Sequence, residues 1–597
     1  MNANKKDVLL ERNVGRRLRG FALFSVIAAL MLTLLLEALD QTVVGTAMPR
    51  IIGQLQGFDR YTWVVTVYLL ASTTMIPLFG KLSDQFGRKW FLLAGTVLFL
   101  LGSVLSGASQ TMDQLIIFRG LQGLGAGIGI ALVFTVIGDI FAPAERARWQ
   151  GLFGAVYGFA NLAGPTLGGW LTDHGPLLGS LVTEASRWRW VFYINLPVGI
   201  IALAALFIYL PADIFERSQG VTGWAAVRRI DFVGALLAAA ATICLLLGLT
   251  WGSNQIYSWN SPQVIGILAA AVVLYILFVF AERRAVEPIL PLDLFRNRVF
   301  TADMALSLFQ SMALLGLVIY LPLFLQGVLG VSATSAGAAI TPLSLTMVIG
   351  SMLAGFVIAQ IKRYQIVAIV GALTMTAGVF LLTRMTAATS IVEAIIYMVI
   401  AGLGLGTFFS IIMLVMQNAL PRRHLGVGTA ATRYIGQLGG TLGIAIVGTV
   451  VNLGLSNELA ERVPASVVQQ LTPQGWKAAT DPQILVEQGY RDTVVQTAKN
   501  IAAQHAAASV PAGPQHDQLV ASAVAQAVQQ AQHLLDQVFV ALKFSLATAI
   551  QHGMIAVLVF AVLIVVASLF LKDLPMTQDA ERAEKETEDV EEPSAVH

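Results

Sequence analysis

Fourteen apolar runs of 19 residues or more divide this chain, with short charged stretches between them. The first two are 21–46 and 61–79, and the last two are 427–453 and 544–571. As helices at 1.5 Å per residue, all are long enough to cross about 30 Å of hydrocarbon. Lipid offers no partner to a free N–H or C=O, so a spanning run is either a helix or a strand of a closed barrel. These runs lack the alternation of barrel strands and read as helices. Composition agrees: of 597 residues, 56% are hydrophobic and only 12% charged, where a soluble domain carries about a quarter. The sequence predicts an all-α polytopic membrane protein. A net charge of +2 leaves no footprint for nucleic acid. The single cysteine, Cys244, excludes an intrachain disulfide.

Lys and Arg orient the spans. With the N-terminus in the cytoplasm, the cytoplasmic segments hold 25 of the 37 and the short outer loops hold 5. This bias places both termini inside. The remaining long segment, 454–543, then lies outside the membrane. An internal repeat also emerges. NLAGPTLGG (161–169) is echoed by QLGGTLGI (437–444), and GLGAG (123–127) by GLGLG (402–406). Gly80 and Arg88 stand eight apart, as do Gly355 and Arg363. Each echo is displaced by eight spans, so spans 1–6 match spans 9–14 and two spans are inserted between. The expected division is a cytoplasmic segment 1–20, a six-helix bundle 21–210 and an inserted pair 231–281. A second six-helix bundle, 301–571, is interrupted by 454–543, and an acidic disordered tail occupies 572–597. Similar membrane halves place a substrate site near the midplane between them.

Several motifs carry a family resemblance. GKLSDQFGRKW (80–90) resembles the loop signature of the major facilitator superfamily, and FRGLQGLGAG (118–127) is similar to its fourth-helix motif. GAVYGFANLAGPTLGGW (154–170) resembles its antiporter motif. LDQTVVGTAMPRI (39–51) and RWRWVFYINLPVG (187–199) resemble the fourteen-helix drug:proton antiporter branch. Gly45 departs from that pattern, where the branch commonly has Asn. The resemblance implies the major facilitator fold: two six-helix bundles plus two inserted helices.

The residues themselves point the same way. Glu37 and Asp40 stand at i and i+3 within an apolar span and share one helical face. A charged acid near the bilayer centre costs roughly 2.5–3.5 kcal/mol on insertion scales, so it needs a partner, a wet cavity or a proton. Arg119 lies at a matching depth in span 4. Either a static ion pair or a proton site would use these groups. The expected role is proton coupling, with Asp40 favoured by the branch motif and Glu37 an alternative contact for cationic substrates. Arg433 either snorkels to the interface or lines the inner cavity. Asp303 and Glu393, near span ends, are expected at the interface. In the 80–90 loop, Gly80 permits close helix approach, Gly87 suits a tight turn, and Asp84, Arg88 and Lys89 pair or cap helix ends. By resemblance this loop latches the outward-facing state. Its echo has Ala359 where Asp84 falls, so the second latch is expected to be weaker. Gly154, Gly158, Gly164, Pro165 and Gly168 allow a close or bent helix contact.

Other signals fail. GLGAGIG lies inside an apolar helix with no preceding strand, so it is no dinucleotide site. There is no phosphate-binding loop for ATP, no metal spacing among the seven His, and no nucleophile–base set. No cofactor is expected, and no enzyme. The leading reading is a proton-coupled exporter of hydrophobic or amphipathic compounds such as drugs. A lipid or glycolipid exporter is the alternative, and a transport-inactive membrane scaffold or sensor is the reading from another class. The expected partners are a small hydrophobic or amphipathic substrate, protons, the membrane and an extracytoplasmic partner at 454–543. In that segment, PAGP (511–514) breaks the chain and Asp517 offers an N-cap. Val520, Val524, Val528, Ala531, Leu535 and Val538 form an apolar stripe. A helix over 517–571 is predicted, with a further helix at 481–488 and an extension of span 13 to about Ala460.

Overall fold

The computed structural model describes residues 20–574 except 56–60, 142, 178, 180–181, 212–230, 254–256, 286–287, 289, 332, 421–423, 469–472, 487 and 510–515. The basic N-terminus, the PAGP breaker and the tail beyond residue 574 lie outside the described residues. The first half comprises α1 (Phe21–Leu55), α2 (Tyr61–Phe86), α3 (Arg88–Ala108), α4 (Met112–Ile140), α5 (Pro143–His174) and α6 (Asn195–Tyr209). The inserted pair is α7 (Phe232–Ser253) and α8 (Pro262–Arg284). Then come α9 (Arg298–Leu323), α10 (Ala333–Ile361), α11 (Gln365–Leu382), α12 (Ile391–Ala419), α13 (Leu425–Arg462), α14 (Gln488–Ser509) and α15 (His516–Leu569).

Local chemistry marks the helix starts. Gly87, at φ 92°, precedes α3. The Thr111 hydroxyl caps α4, and Ser390 with Glu393 forms a reciprocal capping box on α12. Thirteen helical segments among the described residues are long and apolar enough to cross a membrane. The fourteenth expected span, α5, is 32 residues long but is not among them. Its glycines and polar residues lower its hydropathy, and it packs against α1, α10 and α12, so protein contacts take the place of lipid there.

The two halves repeat one packing scheme. In the first, α4 packs on α2 and α3, α1 on α5 and α6, and α3 on α6. In the second, α12 packs on α10 and α11, α9 on α13 and α15, and α11 on α15. The Gly echoes explain part of this. A Cβ on Gly123 or Gly127 would strike α2 at Tyr68 or Ser72, and one on Gly125 would strike α3 at Phe99. A Cβ on Gly402 or Gly406 would strike α10 at Leu343 or Met347, and one on Gly404 would strike α11 at Met375. The same small-residue spacing thus brings the same three helices together twice. The halves meet where α5 crosses α10 and where α2 crosses α13. The inserted α7 lies over α2 and α13, with α8 outside it.

The last helix is the longest. α15 has 54 residues, about 80 Å at the helical rise, far beyond the bilayer's ~45 Å. Its stripe residues Val520, Val524, Val528 and Ala531 are half-buried, and Leu535 and Val538 are buried. The partner is α14, a 22-residue helix that packs along α15. The sequence reading put a helix at 481–488; Gln483–Val486 is helical there, and the longer helix α14 already begins at Gln488. α13 continues to Arg462, two residues before Pro464.

Candidate functional site

Asp40 projects from α1 into a fully hydrogen-bonded nest. Arg119 on α4 donates from Nη1 to Asp40 Oδ2 at 2.5 Å, and neither side chain is more than 1% exposed. Gln122, one turn along α4, donates to Asp40 Oδ1 at 2.8 Å and accepts from Arg119 at 2.7 Å. Asn195 at the start of α6 adds a third donor at 3.3 Å, and its amide also donates to the Ser103 hydroxyl at 3.0 Å. The Arg119 guanidinium lies 4.1 Å from the Tyr68 ring centroid. A buried ion pair holds only when the remaining polar atoms are satisfied as well, and Gln122 and Asn195 serve that end.

Glu37 differs from Asp40. It is buried, yet its Oε2 has no hydrogen-bond partner among the described residues. Gly129 of α4 lies against the carboxylate, where any Cβ would collide with Oε1. Arg433 does not reach the interface. Its guanidinium sits 3.7 Å from the Phe134 ring centroid, its Nε is buried without a hydrogen-bond partner, and its charge acts on Glu37 and Tyr157.

Both groups line a cavity of about 310 Å³ between the halves. The first half contributes Glu37, Gln41, Tyr68, Arg119 and Tyr157; the second contributes Gln310, Phe408, Met413, Arg433 and Gln437. Aromatic and thioether walls with a few convergent polar groups suit a compound that is apolar in bulk and polar at one end.

The 80–90 stretch is not a loop: residues 80–86 end α2, Gly87 makes the turn and α3 begins at Arg88. Toward this end of the molecule the halves are closed. Gln417 on α12 donates to the Phe134 carbonyl at 3.0 Å and accepts from Gln150 on α5 at 3.3 Å. Arg146 donates to the carbonyl of Phe141 at 2.7 Å and to that of Gln417 at 3.5 Å. Ser351 on α10 donates to the Gly151 carbonyl at 3.1 Å. Gly80 meets Ala430 and the Gly426 carbonyl on α13 so closely that a Cβ would not fit.

Arg88 pairs with Asp139 at the end of α4, at 2.6 Å. Lys89 donates to the Phe207 carbonyl of α6 at 2.8 Å. The side chain of Asp84 lies outside the described residues, as does that of Pro165. Gly154 and Gly158 face Ser351 and Val348 of α10, Gly164 faces Thr42 of α1, and the Gly168 carbonyl accepts from Thr172. Gly45 faces open space. Asp303 overturns its interfacial assignment: it lies on the protein-facing side of α9, fully buried, rather than at an exposed span end. Glu393 stays exposed as a cap.

Sequence reasoning missed Gln122, Asn195, Gln150 and Gln417. The first two stood inside quoted motifs, where a lone amide in an apolar run was the available signal. Gln417 carried none, because an amide near a helix end reads as interfacial.

A polytopic helical bundle with two alike halves around a cavity lined by both defines a membrane transporter fold. The sequence model of the Major Facilitator Superfamily matches residues 30–444, and the chain belongs to that family, a family of transporters rather than enzymes. It is 39% identical over 439 residues to the Multidrug transporter protein MdtP of Bacillus subtilis, covering 73% of this chain and 77% of that one. It is 37% identical over 435 residues to Multidrug resistance protein 3 of the same organism, covering 73% and 80%. The fold is similar to that of the human organic anion transporter MFSD10, with TM-score 0.50, 15% identity, and 72% and 94% of the two chains covered.

Proposed function

We propose that this protein is a proton-coupled exporter of hydrophobic or amphipathic compounds, exchanging protons for cargo by alternating access in a cell membrane. The observation that carries the reading is the buried Asp40–Arg119 pair beside a cavity lined by both halves. Asp40 is the coupling acid: in this state it pairs with Arg119 and accepts from Gln122 and Asn195, and a shift of α1 against α4 breaks these contacts and exposes the carboxylate to the cavity. Glu37, with a free oxygen, meets the cationic end of cargo. The stretch around Gly80, Gly87, Arg88 and Lys89 and the Gln417 contacts hold the cytoplasmic side shut, an outward-facing arrangement with both termini inside. The relatives named as a multidrug transporter and a multidrug resistance protein support a drug-like cargo. Lipid is the second reading, favoured by a groove of about 630 Å³ between the end of α13 and the middle of α15, where Val463, Pro464, Val540 and Phe544 stand beside Arg462. Proteoliposomes under an imposed pH gradient test both, with a cationic dye in one set and labelled lipid in the other. Gradient-dependent movement of either supports export; movement of neither leaves a scaffold.

A further inference from the structure

The inserted pair α7–α8 touches the rest of the molecule through a narrow seam. On α8, Val264, Ala271, Phe278 and Glu282 are buried, while Val272, Val273, Ile276 and Phe280 face outward. Tyr275 lies on the buried side, four residues after Ala271. A hydroxyl inside a lipid-embedded hairpin must find a partner, and Tyr275 finds two. It bonds the hydroxyl of Tyr434 on α13 at 2.7 Å and that of Thr242 on α7 at 3.2 Å. Thr242 and Tyr434 close the triangle at 2.6 Å. Thr242 donates to the Ala238 carbonyl at 2.6 Å, so it accepts from Tyr434, whose oxygen in turn accepts from Tyr275, and the 3.2 Å side is the weakest contact.

Tyr434 directly follows Arg433. Successive helical residues point about 100° apart, at 3.6 residues per turn, so anchoring one sets the direction of the next. On the preceding residue, the Thr432 carbonyl accepts from Ser307 of α9 at 2.9 Å. Three consecutive residues of α13 thus meet three different surfaces: Thr432 the α9 side, Arg433 the cavity and Phe134, Tyr434 the inserted pair. Arg433 itself has no hydrogen bond from Nε among the described residues and rests on the Phe134 ring face, so its direction depends on how α13 is turned as well as on that ring.

We propose that Tyr434 is a positioning residue for Arg433, and that the inserted pair, through the Thr242–Tyr275–Tyr434 hydroxyl triangle, sets where the cavity's cation points. This gives α7–α8 a part in the transport cycle and deepens the reading of the cavity given above. When α13 turns or slides between states, the triangle must break or move with it, and Arg433 follows.

The test reads charge inside the cavity and needs no transported cargo. In the full chain, Cys244 is replaced by Ala and a single thiol is introduced by Gln437→Cys, one turn beyond Arg433 on the cavity wall. Anionic and cationic methanethiosulfonates are reacted with it, and the ratio of their rates reports the field of Arg433; Arg433→Gln supplies the value without that charge. Tyr434→Phe keeps the ring and leaves Thr242 and Tyr275 bonded to each other, so the fold survives. The expected result is a change in the ratio of about threefold or more, since the two reagents feel one charge with opposite sign. Thr242→Val with Tyr275→Phe is expected to do the same. Rates that rise together with an unchanged ratio show loosened packing only and overturn the proposal. Because the readout is independent of export, a chain that moves no cargo can still pass or fail it.

Discussion

Asp40→Asn keeps the size of the side chain and removes its charge. The native carboxylate accepts from Arg119, Gln122 and Asn195. An amide has one acceptor oxygen and two N–H donors, so at least one of those three donors meets another donor. Arg119 also loses the anion 2.5 Å away, at a site where both groups are at most 1% exposed and water cannot screen the loss. Removing one partner of a buried pair costs about 3–5 kcal/mol. Arg119→Gln alone leaves the carboxylate equally stranded. The double variant Asp40→Asn with Arg119→Gln is neutral and is expected to lose less than the singles together, by an interaction energy of about 2 kcal/mol or more. Unfolding in detergent measures the stability terms, and dye accumulation in vesicles under an imposed pH gradient measures coupling. Asp40→Asn is expected to fold at lower stability, bind dye and fail to concentrate it. Concentration at the wild-type rate would falsify Asp40 as the coupling acid, and strictly additive losses would mean that the pair is not an electrostatic unit.

Gln417→Ala removes two bonds between the halves, to the Phe134 carbonyl and from Gln150. It is expected to shift the population toward cytoplasmic opening by about 1–2 kcal/mol, or roughly 5- to 30-fold, read as thiol accessibility from that side; an unchanged pattern refutes the clasp. Glu37→Gln is expected to slow export of a cationic dye far more than that of a neutral one, and equal slowing refutes cation recognition there. Asp573 accepts from the backbone of Tyr364 and Gln365 at 2.9 Å each and so caps α11. Asp573→Ala is expected to cost about 0.5–2 kcal/mol in unfolding experiments, and a loss near zero refutes the cap. Tyr364 is buried between α10 and α11, donates to the Lys572 carbonyl at 2.6 Å, and its phenol is held above the ordinary range by burial. Its folded value is the higher one, so its contribution is complete below the unfolded value near 10 and falls as pH rises beyond it. Tyr364→Phe should flatten that alkaline loss in a melting series, and an unaltered alkaline limb counts against it.

The fold was legible because lipid simplifies the code. Apolar length reports spans, and the Gly spacing of 123–127 and 402–406 reports helices that must touch, so both the count and the repeat could be read. α5 shows the limit of the first rule: its surface meets protein, so its hydropathy falls. α14 shows the limit for segments outside the spans. Its Ala- and Gln-rich sequence carries little apolar contrast, and only its fit against α15 defines it. Charges in apolar runs were legible for the same reason as the spans, and Asp40 and Arg119 do meet. Their neutral partners were harder to find, since an amide costs far less in a membrane than an ion and stands out less.

Which acid would be satisfied was not legible at all. Glu37 and Asp40 share a helix face and differ by one turn, so spacing treats them alike. What separates them is α4: Arg119 and Gln122 reach Asp40, while Gly129 leaves only bare backbone against Glu37. The different surroundings of the two acids therefore follow from the rotation of α4. The small residues at 123, 125 and 127 set that rotation by wedging it between α2 and α3. A methyl group added at Gly125 pushes α4 off α3 and carries Arg119 with it. The glycine motif, which looks like packing alone, thus bears on which carboxylate pairs with Arg119 and which keeps an oxygen without a hydrogen bond among the described residues.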